Sequence, residues 1–283
     1  VWLFSALTVT LYGIYQIIRE PGGAVISSFF TLNSYLAQYL VLIMPVILAL
    51  LLFKKTKKEG SRPVDGMGRI FLGIILLLTW FLLGLTMERG PWLGIIVGLL
   101  MMGIVLRDKR ILIGIPLLLM LSFFISPPSI RIRAISIFQP RWSLERLYCW
   151  RSCLSMTKDH PFFGVGLGNF RYVYPKYMLG AAKVKFLHAH NIFFQIATEM
   201  GIPGLLVFLW LLFNFFKATL SHIQKDKYLR ALNVGFSAGI IAILVTSLFH
   251  DIFHSRQIAT LTWYIIGMAI ASHKLKDQET PGD

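Results

Sequence analysis

The chain has 283 residues, of which 56% are hydrophobic and 14% charged, and its mean hydropathy is +0.67. That balance excludes an ordinary soluble globular domain. Several apolar runs reach the ~20 residues needed to cross a hydrocarbon core of about 30 Å, so the spans are helices and not barrel strands. The expected fold class is all-α, a polytopic transmembrane helical bundle, with residues 1–283 forming a single membrane domain. The net charge of +15, from 28 Lys and Arg against 13 Asp and Glu, fits nucleic acid, anionic lipid or cytoplasmic-loop bias, and its distribution has to decide. Cys149 and Cys153, at i,i+4 in a helical stretch, form neither a disulfide framework nor a zinc set. They read as packing residues.

Residues 1–18 already read as part of a span. Neither an initiator Met nor the basic flank and small-residue cleavage site of a signal peptide precedes them, so the expectation is a fragment lacking its N-terminus. Candidate spans follow at 32–53, 69–87, 91–106, 111–126, 202–219, 231–249 and 257–272. The basic stretches 54–62, 107–110, 222–230 and 273–276 fall on alternate connections, and the positive-inside rule places all of them in the cytoplasm. The connection 19–31, the turn 87–91, the long segment 127–200 and the turn 250–256 then face the extracytoplasmic side.

The long outer segment breaks the charge bias. Between 127 and 192 it carries Arg131, Arg133, Arg141, Arg146, Arg151, Lys158, Arg171, Lys176, Lys183 and Lys185 against Glu145 and Asp159. Loops of this length translocate largely regardless of charge, so topology does not account for the excess. Two readings stay open: a solvated or headgroup-facing surface, and a cradle for a phosphorylated or diphosphate-bearing ligand. Nucleic acid fits poorly, since there is no groove-reading motif. The stretch 140–161 reads as a helix with Ser143 as N-cap, Glu145 in the first turn and Pro161 as the stop. Arg146 and Trp150 share a face of it at i,i+4. Gly164, Gly166 and Gly168 superficially resemble a dinucleotide fingerprint, but no strand precedes them, so the reading is a tight turn or close backbone packing.

Three kinds of chemistry are open to the outer residues. His188 and His190, with His250, Asp251 or His254, could ligate a metal, but no HExxH motif or carboxylate cluster supports it, and no metal or cofactor is expected. If Asn191 opens a short helix running to Met200, His190 sits at its N-terminus. There the helix dipole disfavours imidazolium and leaves a neutral ring able to accept a hydroxyl proton. Arg89 lies at the outer mouth of a span, where a guanidinium is costly unless it meets an anion, a wet cavity or the adjacent Glu88. Arg89, Arg146 and His190 on one face of the membrane are what glycosyl transfer from a lipid diphosphate needs. The arginines stabilise the departing diphosphate and the histidine activates the acceptor hydroxyl.

The segments 143–170 and 188–212, supported by 85–100 and 30–45, resemble the O-antigen ligase and O-antigen polymerase family of polytopic glycan-assembly proteins. The shared order is Arg-x-x-x-Trp, Asp-His-Pro-x-x-Gly-x-Gly-x-Gly-Asn-Phe, His-Asn and Glu-x-Gly-x-x-Gly. The resemblance implies a glycosyltransferase-C-like membrane enzyme that takes its glycan from undecaprenyl diphosphate, at the periplasmic face of the bacterial inner membrane, without nucleotide sugar or metal. It also implies catalytic roles for His190, Arg146 and Arg89, direct displacement with inversion, and substrate contacts from His188, Trp150, Arg151 and Asn191. The partners expected are the lipid-linked donor, a lipid A-core or glycan acceptor, and membrane lipids.

The sequence departs from the family pattern at Glu88, where Ser is common, and at Leu32 before Asn33, where Pro is usual. Several N-terminal spans of the family are also absent. Because Glu88 can pair with Arg89, Arg146 is the safer arginine. A ligase acting on lipid A-core is the leading expectation; a polymerase on the same carrier and a ligase glycosylating exported protein share its donor and logic. A non-catalytic glycolipid transporter would need ionisable residues within the spans and internal repeats, and neither is evident.

Overall fold

The computed structural model describes residues 2–19, 26–53, 66–126, 128–135, 143–220 and 227–274. The basic connection 54–62, residues 222–226, residues 275–276 and Arg141 lie outside the described residues, as does the side chain of Ser143. Among the described residues the structure is all-α. In chain order the helices are α1 (Trp2–Arg19), α2 (Asn33–Leu52), α3 (Gly66–Leu85), α4 (Arg89–Leu106), α5 (Lys109–Ile125) and α6 (Pro128–Ile135). They continue with α7 (Ser143–Asp159), α8 (Phe170–Tyr177), α9 (Ile192–Leu220), α10 (Lys227–Thr246) and α11 (Arg256–Lys274). Each apolar run expected to span is a helix, and five of them, α2, α3, α4, α9 and α10, are long and apolar enough to cross a membrane.

Burial sorts these helices. The side chains of Leu36 to Ile47 in α2 are buried all round, as expected of a helix enclosed by others. α3 turns Ile70, Phe71, Ile74, Leu77 and Phe81 outward, the face a bilayer would cover. α10 packs chiefly on α4 and α2, and small residues set how closely. A Cβ at Gly98 would stand 2.5 Å from the Ala238 carbonyl oxygen, and one at Gly239 would stand 2.5 Å from that of Leu42. Gly94 is likewise closed in by the Ala242 carbonyl. Backbones touch here because lipid tails give apolar side chains no reason to prefer one another, so close packing has to supply the attraction. Buried hydroxyls add to it, Ser237 Oγ lying 2.7 Å from Thr219 Oγ1.

The segment between α5 and the apolar part of α9 folds over one end of this bundle. α7 ends at Asp159, two residues before Pro161. Cys149, Cys153 and Met156 on its inner face are fully buried with Phe170, Tyr174 and Ala189, so both cysteines are packing residues, and free. α9 is broken at Gly201, whose φ of 72° and ψ of −176° suit only glycine. The break strands carbonyls, and the glycine turn after α7 covers them. Val165 N donates to Thr198 O (2.9 Å), Gly166 N to Glu199 O (3.0 Å), and Ile202 N returns a bond to Pro161 O (2.7 Å). Gly164, Gly166 and Gly168 all have positive φ, and a Cβ on Gly164 would run into the Glu199 backbone. The expected close backbone packing is therefore present, with the kink of α9 as its receptor.

Candidate functional site

The site is built around the start of α9. Asn191 caps that helix: its Oδ1 accepts from Phe193 N (2.9 Å) and Phe194 N (3.2 Å), and its Nδ2 donates to Leu248 O at the end of α10 (3.3 Å). Ile192 N adds a bond to Ser247 O (3.0 Å). One turn on, Gln195 Oε1 reaches back to accept from Ala189 N (2.7 Å), while Trp150 Nε1 on α7 donates to Ala189 O (3.0 Å). His190 is thus gripped on both flanks, which explains how a non-glycine residue is held at a φ of 51°.

That backbone turn aims His190 into a cavity of about 950 Å³ bounded by α3, α4, α5, α6, α7, the loop before α9 and the turn after α10. Arg89, Arg146 and His190 all line it, together with Glu88, Arg131, Glu145 and His250. Apart from Arg89 and Ser122, the walls contributed by α3, α4 and α5 are apolar, with Trp80, Phe81, Trp92, Ile95, Leu119 and Phe123 among them. The cavity therefore joins a cationic pole to a greasy one.

Electrostatics keep the histidine uncharged. Burial lowers the His190 pKa to about 3, helped by the neighbouring His188, Arg146, His250 and His254. His188 falls to about 4, first through burial and then through His254, His250 and Arg146. Near neutral pH both rings are free bases. The His188 and His190 ring centroids lie 4.1 Å apart, His188 and His254 lie 4.7 Å apart, and the edge of Phe186 closes on His190 at 4.9 Å. His188 Nδ1 is buried and has no hydrogen-bond partner among the described residues. Among the described residues no three His, Cys, Asp or Glu side chains are grouped to hold a metal ion.

The remaining sequence-derived residues stand behind the cavity wall. Trp150 stacks on Phe194 (5.7 Å) and, like Asn191, positions the His190 turn; His188 backs His190; Arg151 is exposed on α7. None of these four lines the cavity. Sequence reasoning named Glu145, Glu88 and Asn33 but not the bonds they make. Glu145 Oε2 accepts from Lys183 N (3.1 Å) and Val184 N (3.2 Å), tying the loop before His190 to α7 beside Arg146. Glu88 Oε1 accepts from Asn33 Nδ2 (2.9 Å), and its Oε2 lies 3.4 Å from His250 Nε2. Asn33 Nδ2 also donates to Thr86 O (2.8 Å). Glu88 thereby joins the start of α2 and the turn after α10 next to Arg89. The local hints of this were Glu88 beside Arg89 and Asn33 within the stretch 30–45.

Fold and site define a polytopic helical membrane protein with a part-cationic, part-apolar cavity at one end of its bundle. Residues 73–209, which contain Arg89, Arg146, His188, His190 and Asn191, match the family model described as O-antigen ligase. Over 132 residues the chain is 24% identical to a protein of Rickettsia conorii named as a polysaccharide ligase, an alignment covering 44% of this chain and 31% of that one. The chain therefore spans about a third of the length of that curated relative.

Proposed function

We propose that the chain transfers a glycan from undecaprenyl diphosphate to a sugar hydroxyl of lipid A-core, at the periplasmic face of the bacterial inner membrane. The observation that carries this reading is the convergence of Arg89, Arg146 and His190 on one cavity that also has an extensive apolar wall. The arginines face the diphosphate, with guanidinium forks that match phosphate oxygens. The apolar walls suit the polyprenyl chain. The acceptor oxygen attacks the anomeric carbon from the side opposite the phosphate, so configuration inverts. The carbon–oxygen bond to the diphosphate breaks, its electron pair leaves on undecaprenyl diphosphate, and the hydroxyl proton passes to His190. A base held at a pKa of about 3 is weak on its own. The incoming diphosphate is an anion and raises it, so the donor's own charge brings the base toward its working range.

The same donor chemistry would serve a polymerase, and the name of the Rickettsia relative favours ligation. A deletion strain tests the choice, with lipopolysaccharide separated from undecaprenyl-linked material on gels. Loss of the ladder from lipid A-core, with long polymer kept on the carrier, is the expected result. Single repeats on lipid A-core with no long polymer anywhere would make the protein a polymerase. An unchanged pattern of both would overturn the reading.

A further inference from the structure

We propose that the turn 161–168 is a membrane-interface anchor, with Phe162, Phe163 and Leu167 inserted at the acyl boundary of the leaflet that the outer end of α9 enters. The three side chains are 71%, 89% and 73% exposed. Three such large apolar groups within six residues form a patch, not scattered surface apolarity. The inference requires α9 to span the bilayer and does not depend on the glycosyl-transfer reading.

The geometry identifies lipid as the occupant. From Ile202 to Leu220 the unbroken part of α9 rises about 27 Å at 1.5 Å per residue, close to the ~30 Å hydrocarbon thickness. The kink at Gly201 therefore lies at the membrane boundary, with residues 192–200 above it. The turn is fixed to that kink by the Val165, Gly166 and Ile202 backbone bonds, so it is held at boundary depth and cannot ride up into water independently. Just past the kink, Ile202, Leu206 and Val207 of α9 are exposed as well. Exposed Lys158, Arg171 and Lys176 flank the turn, with Asp159 and His160 also exposed, a surplus of positive charge suited to anionic headgroups. Because His190 stands two residues before α9, whose first turns (192–200) lead straight to this kink, the anchor sets the height of that histidine above the membrane.

The test places a nitroxide on Phe163→Cys in the full chain, in nanodiscs of phosphatidylethanolamine and phosphatidylglycerol, with Leu206→Cys as the lipid-facing reference. Native Cys149 and Cys153 are fully buried and stay unlabelled. The expected result is more frequent collision with oxygen than with a water-soluble nickel chelate, as at Leu206→Cys. Preferential collision with the nickel chelate at position 163 would overturn the proposal. Leu167→Cys gives the same reading should Phe163→Cys fail to fold.

Discussion

The α2–α4–α10 core and the α7–α9 cap are held together by different means. In the core, backbones meet through Gly94, Gly98 and Gly239, and the chemistry is almost wholly apolar. In the cap, side chains grip backbone: Asn191 and Gln195 around His190, Glu145 on the Lys183–Val184 amides, and Glu199 Oε1 on Phe170 N (3.1 Å). Close packing makes a rigid floor, but it cannot aim a polar group. Side-chain clasps can, and they cluster where the cavity needs a histidine and an arginine fixed in place.

Substitutions can break the two regions separately. Arg146→Ala, which removes charge from the cavity while leaving the core intact, should lower glycan transfer by about 100-fold or more. Arg146→Lys should recover only part of this, because lysine lacks the fork. Transfer by the purified protein in liposomes, beside its yield in the membrane, checks both. Gly98→Val attacks the floor and should cost ~1–3 kcal/mol through overpacking. Gly73→Val on α3, where nothing lies within 4 Å of the added Cβ, should leave Tm in detergent nearly unchanged. Asn191→Ala should cost about 1 kcal/mol of helix capping and lower kcat along with it. Asn191→Asp, still able to accept from Phe193 and Phe194, should keep most of both.

Stability should also depend on pH. His188 and His190 titrate at about 4 and about 3 in the fold, against 6.5 unperturbed. Over that window the unfolded chain binds the extra protons, so stability is complete above about pH 6.5 and declines as pH falls toward the folded values. Tm scanned downward from pH 7.5 should fall, and His188→Gln should flatten the fall. A slope that is the same in the variant would mean that His188 titrates normally.

What the sequence disclosed follows from the range of the interactions. Apolar runs and the Asn191 cap are local, and both were readable; the cap holds although α9 continues past Met200 through the break at Gly201. The glycine turn was readable as a turn, but its receptor, the carbonyls of Thr198 and Glu199, lies more than thirty residues away in sequence. Glu145 was legible as a first-turn carboxylate, yet its partners sit 38 and 39 residues on, and no periodicity announces them. α6 and α8, of eight residues each, are too short for a hydrophobic pattern to specify. Arg89, Arg146 and His190 were grouped by side of the membrane and by the family resemblance, and all three line one cavity.

The most direct measurement is turnover of an undecaprenyl-diphosphate-linked glycan by purified His190→Ala protein in liposomes, with donor binding followed in parallel. The account predicts that donor is bound with near-native affinity while transfer falls by about 100-fold or more, the loss of a general base. Transfer at the native rate would contradict it and remove His190 from the chemistry.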